Sequence, residues 1–500
     1  MTDDELLRLL AGPQRKNVNY WMSYCGRLAS RQHGKELVRV LRKTAKLVHK
    51  KDAPKFHLAA ARLLTKAWKY EEAERHWTLA ERATTTAEPA AAGLARMLER
   101  ANRVQNALAL LPRLGTELAT LPLRAKLHRR AGDADAALEI VSDLARCERD
   151  MEPATAAEAW HEKFRIHDAL GDYESAWAAL LKSKEASRQA IGISRQQQWL
   201  ASRRKTFARM RMVMDSLDRD TVRRWLDEGD ATDLSPWYVM LGMPRSGTTL
   251  LENMLETHSE VISTDERDAL AATILEPVTK GFSVPADEKF AANQFINYLD
   301  HIRPDTAARG HEAYREELKR QMDTYQPNKV LLDKNPGLME SVMLFPRLLP
   351  GASYIVPFRD PRAVLWSTFQ VFIDAPSEIS VFWTNAEDLA EVYEHTMQVW
   401  WKMRELLPQE RFTECRYESL VENPQKEGRV VTDFMGLNWQ EEQASPQEHV
   451  ATKQLVLSPS YDSVTEAPHN KAVEKWKRYE PWIGQAVQRL DPWLEKLGYS

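Results

Sequence analysis

The sequence predicts an α/β protein in two parts: an N-terminal all-α helical repeat, then an α/β domain with a central parallel sheet around a phosphate-loop-like turn. Three observations lead there. The first part is rich in Ala, Leu, Glu, Arg and Lys, which are strong helix formers, and short polar turns interrupt it at regular intervals. The second part holds two apolar, strand-length runs, each ending in a turn that opens an amphipathic helix. At 500 residues the chain is too long for one ordinary core, so more than one domain is expected.

Composition narrows the function classes. With 43% hydrophobic and 28% charged residues the chain reads as globular rather than disordered. A net charge of -3 supplies no bulk attraction to nucleic acid, and no nucleic-acid partner is expected. The three cysteines (Cys25, Cys147, Cys415) are scattered and odd in number, which suits a reducing compartment. MTDDELLRLL at the start has no basic n-region, and no apolar run approaches the ~20 residues of a membrane span. A cytoplasmic location without a membrane span is the expectation.

The repeat is read from four segments, each a polar turn followed by an alanine-bearing helix: WKYEEAERHWTLAERA, ANRVQNALALL, AGDADAALEIV and LGDYESAWAALL. Their alanines, Ala73, Ala107, Ala137 and Ala176, are separated by 34, 30 and 39 residues. Small residues at such positions let helices approach closely, and stacked helix pairs leave a surface free for docking. The pattern resembles tetratricopeptide repeats over roughly residues 32–190, within an expected repeat domain of 1–190. Such a domain implies a polypeptide partner or self-association. Residues 191–235 are basic and helical, then acidic, and are expected to link to a domain over 236–500 with a boundary near Asp230–Pro236.

That domain opens with WYVMLG, an apolar run ended by Gly242, followed by RSGTTLLENMLETH with Leu250, Leu251, Met254 and Leu255 at helical spacing. A turn between buried strand and helix offers free N–H groups and a partial positive charge to an anion. A triphosphate loop has the form G-x-x-x-x-G-K-[ST]. Here Gly242 and Gly247 keep the spacing, Thr248 stands where the lysine belongs, and the cation is Arg245 inside the loop. Without that lysine, a single phosphate-like group suits the loop better, wrapped by Arg245 and the hydroxyls of Ser246, Thr248 and Thr249.

ASYIVPFRDPRAVLWSTF repeats the design: an apolar strand, then Arg359-Asp360-Pro361, with the proline placed for a first helical turn and Ser367 about two turns on. Arg359 and Ser367 are candidates for a second anion. Two such sites on one parallel sheet suit a nucleotide with phosphates at both its 3′ and 5′ positions.

The spaced pair PRSGTTL and FRDPRAVLWS resembles the sulfotransferases that use 3′-phosphoadenosine 5′-phosphosulfate, and repeats ahead of such a domain resemble the bacterial tetratricopeptide sulfotransferases. The resemblance implies that Arg245, Ser246, Gly247, Thr248 and Thr249 bind the 5′-phosphosulfate, and that Arg359 and Ser367 bind the 3′-phosphate. RYESLVENP is similar to the family's strand and turn near the nucleotide, which puts Tyr417 beside the adenosine. DFMGLNW resembles the closing helix, and SPSYDSVTEAPHNKAVEKWKRYEPW the C-terminal lid, with Ser460 and Lys475 as cofactor contacts.

Sulfuryl transfer needs a base for the acceptor hydroxyl and cations for the leaving phosphate. In tyrosylprotein and related sulfotransferases a glutamate lies at a set offset from the loop, and Glu266 aligns with it; Asp265 is the neighbouring alternative. His258 ends the loop helix, where a C-terminal cap accounts for it. Lys334, after an apolar strand in VLLDKNPGLM, resembles the family's lysine near the sulfuryl group, with Arg245 sharing its catalytic role. The other reading of KVLLDK is a triphosphatase strand with Asp333 on Mg²⁺, which would make a phosphate-loop kinase or ATPase.

No metal site is expected. His161-Glu162 and His311-Glu312 begin like a zinc motif, but Arg165 and Arg315 stand where its second histidine belongs. Of Trp366, Trp383, Trp400 and Trp401, most fit helical core packing better than an acceptor pocket. Residues 271–330 and 369–385 are the expected acceptor wall. The acceptor carries a hydroxyl, and peptide tyrosine, saccharide, lipid and small molecules all remain open: after Glu266 only Arg267 is basic before Asp268, whereas tyrosylprotein enzymes usually continue with further basic residues.

Overall fold

The structure is a computed structural model and describes residues 12, 16–228, 237–281, 288–374, 376–448 and 473–499. Contacts divide the chain into two compact units, Met1–Ser142 with Glu317–Thr324, and Asp143–Glu316 with Tyr325–Ser500.

The first unit is a succession of helical hairpins: Val18–Ser30 with Gly34–Ala45, Ala53–Lys66 with Tyr70–Glu81, Ala87–Arg100 with Val104–Leu108, and Leu121–Arg130 with Ala134–Ile140. Every hairpin turns the same way. Gln32, Trp68, Asn102 and Gly132 each take a positive φ. The next N–H reaches back to close the first helix: His33 to the Leu28 carbonyl at 3.0 Å, Lys69 to Leu64 at 2.9 Å, Arg103 to Leu98 at 2.8 Å and Asp133 to His128 at 3.0 Å. That bond satisfies a carbonyl the helix end leaves without a partner. Ala73, Ala107 and Ala137 each lie fourth in the second helix of a hairpin, at 0% exposure, which is the close approach their small side chains allow. Trp21, Leu37, Leu64, Trp77 and Leu98 fill the spaces between helices.

The fourth alanine behaves the same way in a different unit. Ala176 is buried, fourth in Tyr173–Ile191, and that helix pairs with Pro153–Leu170 across the positive-φ Gly171. This hairpin belongs to the second unit, so the expected end of the repeat domain near 190 falls inside that unit. The expected linker is likewise packed there. In Ile193–Ser216, Phe207 stacks on His395 with centroids 4.1 Å apart, and Arg203 pairs with Glu340. The expected boundary at 230–236 lies outside the described residues.

The second unit is built on five parallel strands: β1 (Trp237–Met240), β2 (Val261–Ser263), β3 (Val330–Lys334), β4 (Ala352–Phe358) and β5 (Phe412–Arg416). They lie side by side in the order β2-β3-β1-β4-β5. Met240 is level with Lys334 on one side and Ile355 on the other. Central positions such as Val239, Leu332 and Ile355 are fully buried, as continuous apolar strands covered on both faces require. The chain leaves β1 toward β2 and leaves β4 toward β5, although β1 and β4 are neighbours. Connections departing in opposite directions open a crevice at the strands' C-terminal ends, the usual ligand position in such sheets.

Candidate active site

All five strands deliver a predicted residue at their C-terminal ends. The loop holding Arg245 follows β1, Glu266 follows β2, Lys334 ends β3, Arg359 follows β4 and Tyr417 follows β5. The parallel arrangement brings these points of the sequence to one edge of the sheet.

The two candidate anion grips meet. Arg245 Nε donates to Ser367 Oγ at 3.0 Å, and Arg359 Nη1 donates to the Arg245 carbonyl at 3.2 Å. The Arg359 guanidinium lies over the Tyr417 ring, 4.5 Å from its centroid, a cation–π contact that orients both groups. Asp360 does not occupy Arg359. It caps helix Pro361–Phe369 by accepting the Arg362 N–H and pairs with the Arg362 side chain at 2.8 Å.

The loop itself is tight. Arg245 has a φ of 71° and Gly247 a φ of 103°. A Cβ on Gly247 would lie 2.5 Å from Tyr417 Cδ2, so glycine is required for the loop to approach that ring. Thr248 and Thr249 are buried at the start of helix Thr248–Glu256. Ser246 is also buried, and its hydroxyl has no hydrogen-bond partner among the described residues. A buried hydroxyl without a partner is costly, and one beside a helix N-terminus is placed to meet an anion.

Next to the loop lies a charged cluster. Lys334, at 0% side-chain exposure, has its Nζ 2.6 Å from Glu266 Oε1 and 2.9 Å from Glu252 Oε2. Ser263 Oγ donates to the other oxygen of Glu252. Burial alone would push the Lys334 pKa down, but the carboxylates of Glu252, Glu266 and Asp265 outweigh it and hold the ammonium above the usual lysine range. Asp265 and Glu266 both take positive φ, at 50° and 60°. That backbone is fastened to β3, with Glu266 N–H on the Lys334 carbonyl at 2.9 Å and Lys334 N–H on Thr264 Oγ1 at 3.2 Å. Consecutive non-glycine residues in this region store strain, and such strain gathers at functional sites.

Glu252 is the residue sequence reasoning missed. It reads as the polar face of the loop helix, yet its side chain is 1% exposed because Lys334 arrives from β3 to neutralise it. Only the pairing of β1 with β3 makes that neighbour visible.

The remaining expectations sort clearly. His258 is engaged at both ring nitrogens, with Nε2 2.9 Å from the Asn438 carbonyl and Nδ1 accepting the Glu260 N–H at 3.1 Å. Asp333 lies on the opposite side of β3 from Lys334, buried, accepting from Tyr314 Oη at 2.5 Å; burial pushes its pKa up to about 6. His161 and His311 bond the carbonyls of Gln370 and Leu348, at 2.9 and 2.7 Å. Trp366 and Trp400 are core residues, the first stacked on Tyr479 at 3.8 Å, the second donating to Glu414 at 3.0 Å. Lys475 is exposed on the turn Lys475–Arg478, and the residue that tucks in there is Trp476, beneath Arg362. Ser460 lies outside the described residues. Of the expected acceptor wall, Ala271–Leu275 and the helices to Gln321 follow Glu266, although Glu317–Thr324 pack with the first unit.

Residues 236–441 match the family model described as "Sulfotransferase family". A protein of Aquifex aeolicus (strain VF5) is 24% identical over 344 residues, covering 69% of this chain but only 42% of that protein. Protein-tyrosine sulfotransferase 2 of Gallus gallus is 25% identical over 265 residues, covering 52% of this chain and 68% of its own. Protein-tyrosine sulfotransferase A of Caenorhabditis elegans is 23% identical over 275 residues, covering 53% and 68%. Among solved structures, the sulfotransferase domain from the curacin biosynthetic pathway is 19% identical, with a TM-score of 0.37 over 54% of this chain and 99% of that one. Residues 236–441, less than half of the chain, thus resemble the sulfotransferase family.

Proposed function

We propose that the second unit transfers a sulfuryl group from 3′-phosphoadenosine 5′-phosphosulfate to an acceptor hydroxyl. The observation that carries this reading is the joining of the two grips: Arg245 bonded to Ser367, and Arg359 bonded to the Arg245 carbonyl, where the connections of β1 and β4 diverge. One molecule with phosphate groups at both ends of a nucleoside satisfies both grips. The partnerless Ser246 hydroxyl and the space kept open by Gly247 fit an anion at the helix N-terminus.

In this reading Arg245 to Thr249 hold the phosphosulfate end, Arg359 and Ser367 the 3′-phosphate, and Tyr417 flanks the adenosine. Glu266 takes the proton as the acceptor oxygen bonds to sulfur. The bond from sulfur to the bridging phosphate oxygen breaks, and Lys334 with Arg245 steadies the charge left on that phosphate. Lys334 is already fixed 2.6 Å from Glu266, so base and cation are ordered before substrate arrives.

The kinase reading is weaker. Asp333, its candidate Mg²⁺ ligand, accepts a hydrogen bond from Tyr314 on the other side of β3 from Lys334. Relatives named as protein-tyrosine sulfotransferases bring peptide tyrosine forward as an acceptor. Saccharide and other hydroxyls stay beside it, because Glu266 is followed by Arg267 and then Asp268. The helical hairpins, tetratricopeptide-like in spacing, would dock a polypeptide or a second copy. Free Cys25, Cys147 and Cys415 suit a cytoplasmic setting.

The test is thermal melting with adenosine 3′,5′-bisphosphate in EDTA. Ligand at a thousand times its dissociation constant stabilises by about 4 kcal/mol. Arg359→Ala should weaken this binding, while Glu266→Ala should keep it and lose transfer. An unshifted melt for the unaltered chain would sink the reading.

A further inference from the structure

Helix Pro361–Phe369 carries Ser367, and at its C-terminal end the carbonyls of Gln370, its C-cap, and of Val371, one residue beyond, need partners. They find them in the hairpin Pro153–Leu170 and Tyr173–Ile191. Lys184 Nζ donates to the Val371 carbonyl at 2.8 Å, and His161 Nε2 to the Gln370 carbonyl at 2.9 Å. Farther along, Arg188 Nη1 donates to the Thr384 carbonyl at 2.9 Å. Rings close the joint: Trp177 lies 5.8 Å from Phe369, and Phe164 packs edge-on against Trp366 at 6.2 Å.

The chemistry of the Lys184 site is unusual for a packing contact. Lys184 is 2% exposed, and its ammonium meets a carbonyl and, at 5.2 Å, the face of Phe369. No carboxylate pairs with it among the described residues. Burial, then Arg188, pushes its pKa down to about 7. Burying an ammonium this way opposes stability, and methionine would fill similar space without the charge. What the cation does supply is a strong donor at a helix C-terminus, where the backbone dipole is negative.

We propose that Lys184 and His161 are positioning residues for donor binding: by capping the buried end of helix Pro361–Phe369 they hold Ser367 against Arg245. The hairpin is then a working part of the transferase unit rather than one more docking repeat. The inference rests on the bisphosphate-binding reading above.

The experiment measures adenosine 3′,5′-bisphosphate affinity by calorimetry, with melting of the ligand-free protein, for the full chain and for Lys184→Met, His161→Phe and His161→Gln. Lys184→Met and His161→Phe should each lose about ten- to a hundredfold in affinity, as misplaced groups near a site do. Lys184→Met should melt no lower than the unaltered chain. His161→Gln, which keeps an N–H donor, should retain more affinity than His161→Phe. Affinity within twofold of the unaltered chain for both Lys184→Met and His161→Phe overturns the proposal, whatever happens to melting, because that is the behaviour of packing alone. Should Lys184→Met fail to fold, the two His161 variants decide by their order. If the unaltered chain does not bind the bisphosphate, the donor reading itself falls and takes this inference with it.

Discussion

Replacing Lys334 by methionine should damage folding far more than the loss of a surface charge would. Lys334 touches two carboxylates in different settings. Glu266 is 30% exposed and can regain water. Glu252 is 1% exposed and cannot. Removing one partner of a buried ion pair costs about 3–5 kcal/mol, because the other charge stays buried and uncompensated. The expected loss for Lys334→Met is therefore about 3–5 kcal/mol, nearly all traceable to Glu252. Urea unfolding of the full chain at neutral pH measures it, following the transition that bisphosphate shifts. Adding Glu252→Met to Lys334→Met should recover about 2 kcal/mol or more, since the uncompensated charge is gone. Acid should also narrow the gap, because a carboxylate without its cation is relieved by taking up a proton. A Lys334→Met chain within about 1 kcal/mol of the unaltered protein, or a double variant no better than the single, would refute the coupling.

Other outcomes follow from the same geometry. Gly247→Ala forces a Cβ to 2.5 Å from Tyr417 at a φ of 103°, so bisphosphate affinity should drop at least about tenfold in calorimetry, with about 1–3 kcal/mol of strain. Gly132→Ala, at a φ of 85° with open space around it, should leave that affinity untouched. Lys184 has a folded pKa of about 7, below the ordinary ~10.4 of lysine in an unfolded chain. Between those values the unfolded state binds more protons, so this residue's contribution raises stability as pH climbs from about 7 toward 10 and is flat below about 7. Denaturant midpoints across that range should show the slope, and Lys184→Met should flatten it. Ala107→Leu should destabilise the first unit by about 1–3 kcal/mol in thermal melts, since Ala107 is fully buried where two helices meet.

Much of this molecule is written in short stretches of chain. The hairpins could be placed because a turn and an alanine recur together, and both act within a few residues: one closes a helix end, the other lets the next helix approach. PRSGTT and FRDPRAVLWS were legible for the same reason, being strand, turn and helix start in immediate succession. His258 is a mixed case: it stands at a helix end as expected, and its Nδ1 accepts the Glu260 N–H nearby, but its Nε2 bonds the Asn438 carbonyl, 180 residues away, rather than a carbonyl of the loop helix.

Charge neutralisation between distant segments is not written that way. Glu252 looks solvent-facing until β3 is laid beside β1 and brings Lys334 to it. Ala176 matches the other hairpin alanines in sequence, yet its hairpin packs in the second unit and lends Lys184 and His161 to a helix far along the chain. Local spacing dictates which elements form and where an anion fits, because those depend on backbone geometry over a few residues. Which buried charge is compensated, and which helix end is capped by whom, depends on strand order and packing, and those exist only once the chain has closed on itself.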